Sequence, residues 1–258
     1  MLGAAAGDII GSIYERAAQP FNEDFPLIAW NSRFTDDTVL TVAVADAILT
    51  GGDYQSALIR YARRYPDAGY GGGFRKWMRS EDPRPYNSFG NGSAMRVSPI
   101  GWAFDTVADV LAEAERSAAV THNHPEGIKG AQAVALAIFY ARTGIEKSAI
   151  LREIQDRFGY RLDEPLASIR PGFQFDVTCQ GTVPPALIAF NESDSLESAI
   201  RKAVSLGGDA DTLGAICGSV AEAYYRRFPG EILELIKEKL PDEFLEVLRV
   251  FYQRFVQS

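Results

Sequence analysis

Two stretches of this chain concentrate oxygen ligands: RFTDDTVLTV at residues 33–42 and SLGGDADTLGAICG at residues 205–218. They set Thr35, Asp36 and Asp37, then Asp209, Asp211 and Thr212, directly before apolar runs. A helix start exposes unpaired backbone N–H groups, and a side-chain oxygen there satisfies one of them. Capping therefore accounts for one acid in a stretch and leaves the rest over. If the two starts converge, four carboxylates in one pocket repel strongly unless a cation neutralises them. Donors that are all oxygen, without Cys or His, suit a hard divalent ion, Mg²⁺ or Mn²⁺, rather than zinc. So many carboxylates exceed what one Mg²⁺ takes from protein, and two ions are the expected count.

Between the two stretches, residues 66–104 are rich in Gly and Pro and read as a functional loop, because a compact helical protein seldom carries so long a connection otherwise. Gly71, Gly72 and Gly73, then Gly90 and Gly92 around Asn91, let backbone approach a ligand and aim N–H groups at an anion. Glycines that serve turns alone are the competing explanation for each run. Neither run has the spacing of a Walker loop or a dinucleotide fingerprint. His122 and His124, the two histidines, lie in THNHPEG before a helix that Pro125 can open. Their His-x-His spacing could suit zinc, but no third soft ligand accompanies them and a helix-entry turn explains them, so zinc is not expected.

Helices must position these groups. TVLTVAVADAIL, TVADVLAEAERSAAV, PEGIKGAQAVALAIFYAR, KSAILREIQDRFG, SLESAIRKAVSL, TLGAICGSVAEAYYRRF and EILELIKEKL repeat apolar residues three or four apart, and strand signals are sparse. The expectation is an all-α single domain over residues 1–258, with the runs 39–49 and 131–141 central and charged helices such as 147–158 outside. Trp77, Trp102 and the last helix, EFLEVLRVFYQRFV, read as core packing or an oligomer surface. At 258 residues and 47% hydrophobic content the chain can bury a large core. A net charge of −8 argues against binding a nucleic-acid backbone or an anionic membrane. Two cysteines imply no disulfide framework. The N-terminal MLGAAAGDII lacks a basic leader and is interrupted by Asp8, and no run reaches membrane-spanning length, so a cytoplasmic protein is expected.

GAAAGDIIGSIYE, FTDDTVLTVAVADAIL, GNGSAMRVSPIGW, THNHPEGIKGA and SLGGDADTLGAICG occur in the order of the ADP-ribosylglycohydrolase family, and the sequence resembles that family over nearly its whole length. The resemblance implies a compact orthogonal helical bundle, two Mg²⁺ or Mn²⁺ ions, and hydrolysis of the bond between the distal ribose of ADP-ribose and its acceptor. It implies Thr35, Asp36, Asp37, Asp209, Asp211 and Thr212 as metal ligands and Glu15, closing GSIYE, as the acid/base. Gly71, Gly72 and Gly73 match a loop along the diphosphate. Ser88, Phe89, Gly90, Asn91 and Gly92 match one around the phosphates and adenosine, with Phe89 stacking on adenine, and His122 matches an ADP-ribose contact. GDIIGSIYE is nearer to the branch acting on ADP-ribosyl-serine, poly-ADP-ribose or O-acetyl-ADP-ribose than to the ADP-ribosyl-arginine branch. The competing expectations are a non-catalytic ADP-ribose binder of crystallin type, and a metal-dependent hydrolase of another nucleotide or sugar phosphate.

Overall fold

Two helices from opposite ends of the chain meet backbone to backbone, and the rest of the fold is arranged around that contact. The computed structural model describes residues 1–15 and 20–256. In chain order the helices are α1 (Leu2–Gly11), α2 (Asp36–Thr50), α3 (Tyr54–Arg64), α4 (Gly72–Arg79), α5 (Gly92–Met95), α6 (Ser98–Ala103), α7 (Val107–Ala119), α8 (Pro125–Arg142), α9 (Lys147–Phe158), α10 (Leu166–Ile169), α11 (Cys179–Asn191), α12 (Leu196–Val204), α13 (Ala210–Tyr225), α14 (Gly230–Lys239) and α15 (Asp242–Phe255). A 3₁₀ turn, Arg170–Gly172, follows α10. Among the described residues no strand forms, and an isolated antiparallel bridge joins Gly90 to Thr178.

The central contact is written in glycines four residues apart. Gly3, Gly7 and Gly11 fall on one face of α1. A Cβ at Gly7 would lie 1.9 Å from the Gly214 carbonyl oxygen, one at Gly3 2.2 Å from that of Gly218, and one at Gly11 2.4 Å from that of Ala210. No side chain fits between the helices, so α1 lies directly against α13. That approach delivers Asp8 to the start of α2 and sets Gly11 beside the Asp211 backbone.

Burial of α2 and α8 follows the expectation for nearly uncharged central helices, and α13 is buried with them. α2 is buried from Asp37 to Ala45, and α13 from Ala210 to Ala223. The run 131–141 is buried throughout apart from Gln132 and Tyr140. α9 turns Ile150, Leu151 and Ile154 inward and its charged residues outward. Trp77 and Trp102 are buried, and α15 packs Phe244, Leu248 and Phe251 onto the core.

The segment 66–104 is not a continuous loop. It holds α4, α5 and α6, because Phe74, Trp77 and Met78 recur at helical spacing and are buried, and Pro99 sits in the first turn of α6, where its missing N–H costs nothing. α11 tolerates Pro184 and Pro185 inside it. Among the described residues no helix is long and apolar enough to cross a membrane.

Candidate active site

The two carboxylate-rich helix starts lie on one wall of a cleft of about 390 Å³ lined by Thr35, Asp36, Asp37, Asp209, Asp211 and Thr212, with Glu15 at its side. α2 opens because Thr35, in extended conformation, accepts the Asp37 N–H on its hydroxyl at 3.3 Å. The cap is thus a threonine, and both aspartates are released from that duty. Gly207 and Gly208, both in the left-handed region, turn the chain into α13. Asp209 occupies the N-cap position there without a side-chain capping bond. The Thr212 hydroxyl lies 3.4 Å from Asp37 Oδ2, which joins the two stretches directly.

Asp8 organises this wall from behind. Its carboxylate accepts the Thr35 N–H at 2.9 Å, the Thr35 hydroxyl at 2.7 Å, the Thr38 N–H at 3.1 Å and the Thr38 hydroxyl. Burial raises its carboxyl to about 6, against the pull of those four donors. Asp36 is pushed up to about 8 by desolvation and then by the charge of Asp8. Asp37 and Asp211 are driven well above the ordinary carboxylate range, Asp37 by burial and then Asp211, and Asp211 by burial and then Asp209. Asp37 Oδ1 is buried with no hydrogen-bond donor. An acceptor held in that state, among like charges, is suited to a cation.

The glycine runs also line the cleft. Gly71 and Gly73 line the cleft, while Gly72, the first residue of α4, does not. A Cβ at Gly71 or Gly72 would meet nothing within 4 Å, so packing within the protein does not require glycine there. Gly73 differs, since a Cβ would strike the Tyr86 ring at 2.9 Å. Ser88, Gly90, Asn91 and Gly92 line the cleft, held by Asn91 N–H donating to the Val177 carbonyl at 2.7 Å and Cys179 N–H donating to that of Phe89 at 3.0 Å. The Asn91 amide donates to Asp209 Oδ2 at 2.6 Å and to the Thr182 hydroxyl at 2.9 Å, tying the Gly-Asn-Gly run to the carboxylate wall. Phe89 does not line the cleft; its half-exposed ring packs on His124, 5.3 Å between centroids. His124 caps α8 by accepting the Glu126 N–H at 3.1 Å.

His122 lines the cleft beside Gly90 and Gly92, and burial followed by the nearby Arg96 charge holds its imidazole well below the usual value. Arg96 also lines the cleft, though fully buried. Burial lowers its guanidinium to about 10, leaving it charged at neutral pH.

This sequence and its fold have counterparts in known proteins. A profile of the family described as ADP-ribosylglycohydrolase matches residues 1–257. The chain belongs to the ADP-ribosylglycohydrolase family. It is 27% identical over 308 residues to ADP-ribosylhydrolase ARH3 of Homo sapiens, covering 87% of this chain and 84% of the relative. It is 27% identical over 266 residues to ADP-ribosylarginine hydrolase Tri1 of Pseudomonas putida, covering 87% of this chain and 69% of the relative. A solved structure titled ADP-ribosylglycohydrolase-related protein complex superposes with a TM-score of 0.74 at 28% identity, covering 98% of this chain and 95% of that one. The protein is accordingly a glycohydrolase.

Several residues that line or support the cleft of this ADP-ribosylglycohydrolase were not singled out by sequence. Asp8 carried a signal, a lone acid in an Ala/Gly/Ile helix, which is rarely buried without a task. Tyr86, Arg33 and Phe175 line the cleft from irregular segments without a periodic pattern to mark them. Phe175, nearly half exposed, is an aromatic on the cleft where Phe89 is not.

Proposed function

We propose that the protein hydrolyses the bond between the distal ribose of ADP-ribose and its acceptor, with two Mg²⁺ or Mn²⁺ ions held by Thr35, Asp36, Asp37, Asp209, Asp211 and Thr212. The observation that carries this reading is the carboxylate wall, with a buried Asp37 oxygen that has no donor and acids that raise one another's protonation. Among the described residues no three Asp, Glu, His or Cys side chains form a ready metal cage. Mg²⁺ takes few carboxylates from protein and keeps positions for hydroxyl, water or sugar oxygens, which Thr35 and Thr212 beside the aspartates would suit. Such ions supply Lewis-acid polarisation of the ribose hydroxyls and of water, and they fix the sugar's orientation.

The chain's own groups supply the rest. Thr35 gives its proton to Asp8, so its oxygen remains an acceptor toward the site. Glu15 stands at the cleft beside Asp36, whose protonation its charge favours, and would move the proton at the scissile linkage. Positive charge that develops on the ribose ring is stabilised by the neighbouring carboxylates. The start of α4 has no side-chain cap and would offer backbone N–H groups to the diphosphate, whereas in the second run the Gly90 and Asn91 N–H groups are already bonded to Ser88 Oγ and the Val177 carbonyl.

Similarity to a relative named an ADP-ribosylarginine hydrolase and to one named ADP-ribosylhydrolase ARH3 leaves the acceptor to experiment. The test is release of free ADP-ribose from ADP-ribosyl-serine peptide, ADP-ribosyl-arginine, poly-ADP-ribose and O-acetyl-ADP-ribose, each with Mg²⁺, Mn²⁺ or chelator. Metal-dependent turnover of one substrate supports the reading and names the acceptor. No turnover of any, with ADP-ribose still raising the melting temperature, replaces it with a binding protein.

A further inference from the structure

Arg96, Thr121 and His122 form a hydrogen-bonded chain that ends at the cleft. The Arg96 guanidinium can only donate. Its Nη2 reaches the Ser117 carbonyl and the Thr121 hydroxyl oxygen, each at 2.9 Å, while Nε and Nη1 have no acceptor. The same hydroxyl lies 2.7 Å from His122 Nδ1. Thr121 is fully buried, and among the described residues its hydroxyl has these two partners.

Proton counting then fixes the ring. The hydroxyl oxygen accepts from Arg96, so its own proton has Nδ1 as the acceptor within reach. The reverse arrangement, with Nδ1–H donating to the hydroxyl, strands the threonine proton in a buried place without an acceptor. With Nδ1 accepting, a neutral imidazole carries its proton on Nε2. That nitrogen faces the glycine run: a Cβ at Gly92 would lie 3.1 Å from it and one at Gly90 3.6 Å.

We infer that Arg96 and Thr121 are positioning residues that hold His122 as the neutral Nε2–H tautomer, so that the ring presents a hydrogen-bond donor to an oxygen of the bound ligand. This deepens the ADP-ribosyl reading and rests on it for the identity of the ligand. The other tautomer would turn an acceptor lone pair toward phosphate or hydroxyl oxygens. Glycine at 92 leaves the donor uncovered. Arg96 thus acts on the ligand through two intervening groups.

Two-bond ¹H–¹⁵N correlation spectra of the labelled protein test this, because His122 and His124 are its two histidines and His122→Gln identifies the signals. The wild type is expected to show His122 protonated on Nε2 and bare on Nδ1 at pH 7, without ligand. Thr121→Val, which keeps the shape and removes the hydroxyl, should shift His122 toward the Nδ1–H form and weaken ADP-ribose binding by about tenfold in calorimetry. Thr121→Ser should restore both, which a purely structural role for the side chain would not predict. Wild-type His122 found protonated on Nδ1, or an unaltered tautomer in Thr121→Val, overturns the inference. Failure of the wild type to bind ADP-ribose would instead remove the ADP-ribosyl reading, since the tautomer is read without any ligand.

Discussion

At the scale of single residues, the site separates aspartates by what they face. Asp8 is buried among four donors and has every reason to remain a structural carboxylate, whereas Asp37 has an oxygen that no donor meets. The proposed metal role therefore belongs to Asp36, Asp37, Asp209 and Asp211. Asp36→Ala and Asp209→Ala are each expected to lower kcat by roughly a thousandfold, the scale of several kcal/mol of lost charge stabilisation, in steady-state assays at saturating metal. Glu15→Gln should lower kcat by about 10²- to 10⁴-fold while leaving the melting temperature and the response to metal intact. His122 gives a pH prediction. Its folded value is depressed, so above the unfolded value of about 6.5 both states are neutral and nothing is gained or lost. As pH falls below that, the unfolded chain binds a proton that the folded protein refuses, and stability drops. Denaturant unfolding at pH 6.5 and 5.5 should show a loss in the wild type that exceeds that of His122→Gln by about 1 kcal/mol.

At the scale of elements, the helices with strong periodicity could be read directly from sequence: α8 spans the quoted run Pro125–Arg142, and α13 begins within the Asp-Ala-Asp-Thr stretch. What stayed hidden depends on contacts between distant segments. Periodicity carries no information about the distance between residues 37 and 212, so the convergence of the two helix starts could be posed only as a condition. The Gly3, Gly7, Gly11 spacing was visible, yet its meaning resides in Gly214 and Gly218, two hundred residues on. Gly7→Ala puts a methyl against a backbone carbonyl that cannot move aside, and should cost about 3 kcal/mol or more in denaturant unfolding. Gly71 makes the opposite case. Its φ of −61° suits any residue and its Cβ position is open, so Gly71→Val should change stability by less than about 1 kcal/mol. If the glycine serves a ligand rather than a turn, ADP-ribose binding measured by calorimetry should nevertheless fall.

At the scale of the whole molecule, the carboxylate wall sets function against stability. The helices that carry it, α2 and α13, are also central to the core, and their first turns bring Asp36, Asp37, Asp209 and Asp211 into mutual repulsion. Without a cation that repulsion acts on the fold itself; with one, the same charges bind it. Ions at a hundredfold over their dissociation constant stabilise the folded state by about 2.7 kcal/mol. At roughly 2–4 °C per kcal/mol for a chain of this size, the melting temperature should rise by about 5–10 °C. Asp37→Asn separates the two effects because it keeps the shape and removes one charge. It should raise the melting temperature of the chelated protein, by removing an acid that burial first and the neighbouring carboxylates second disfavour, a gain of about 1–3 kcal/mol, and should abolish most of the increase that Mg²⁺ or Mn²⁺ gives the wild type. Thermal denaturation of both proteins, with chelator and with each metal, reads the two signs at once. A variant less stable than the wild type in chelator would mean that the Asp37 carboxylate supports the metal-free fold through contacts that outweigh its repulsion, and the cation-site assignment would lose its electrostatic basis.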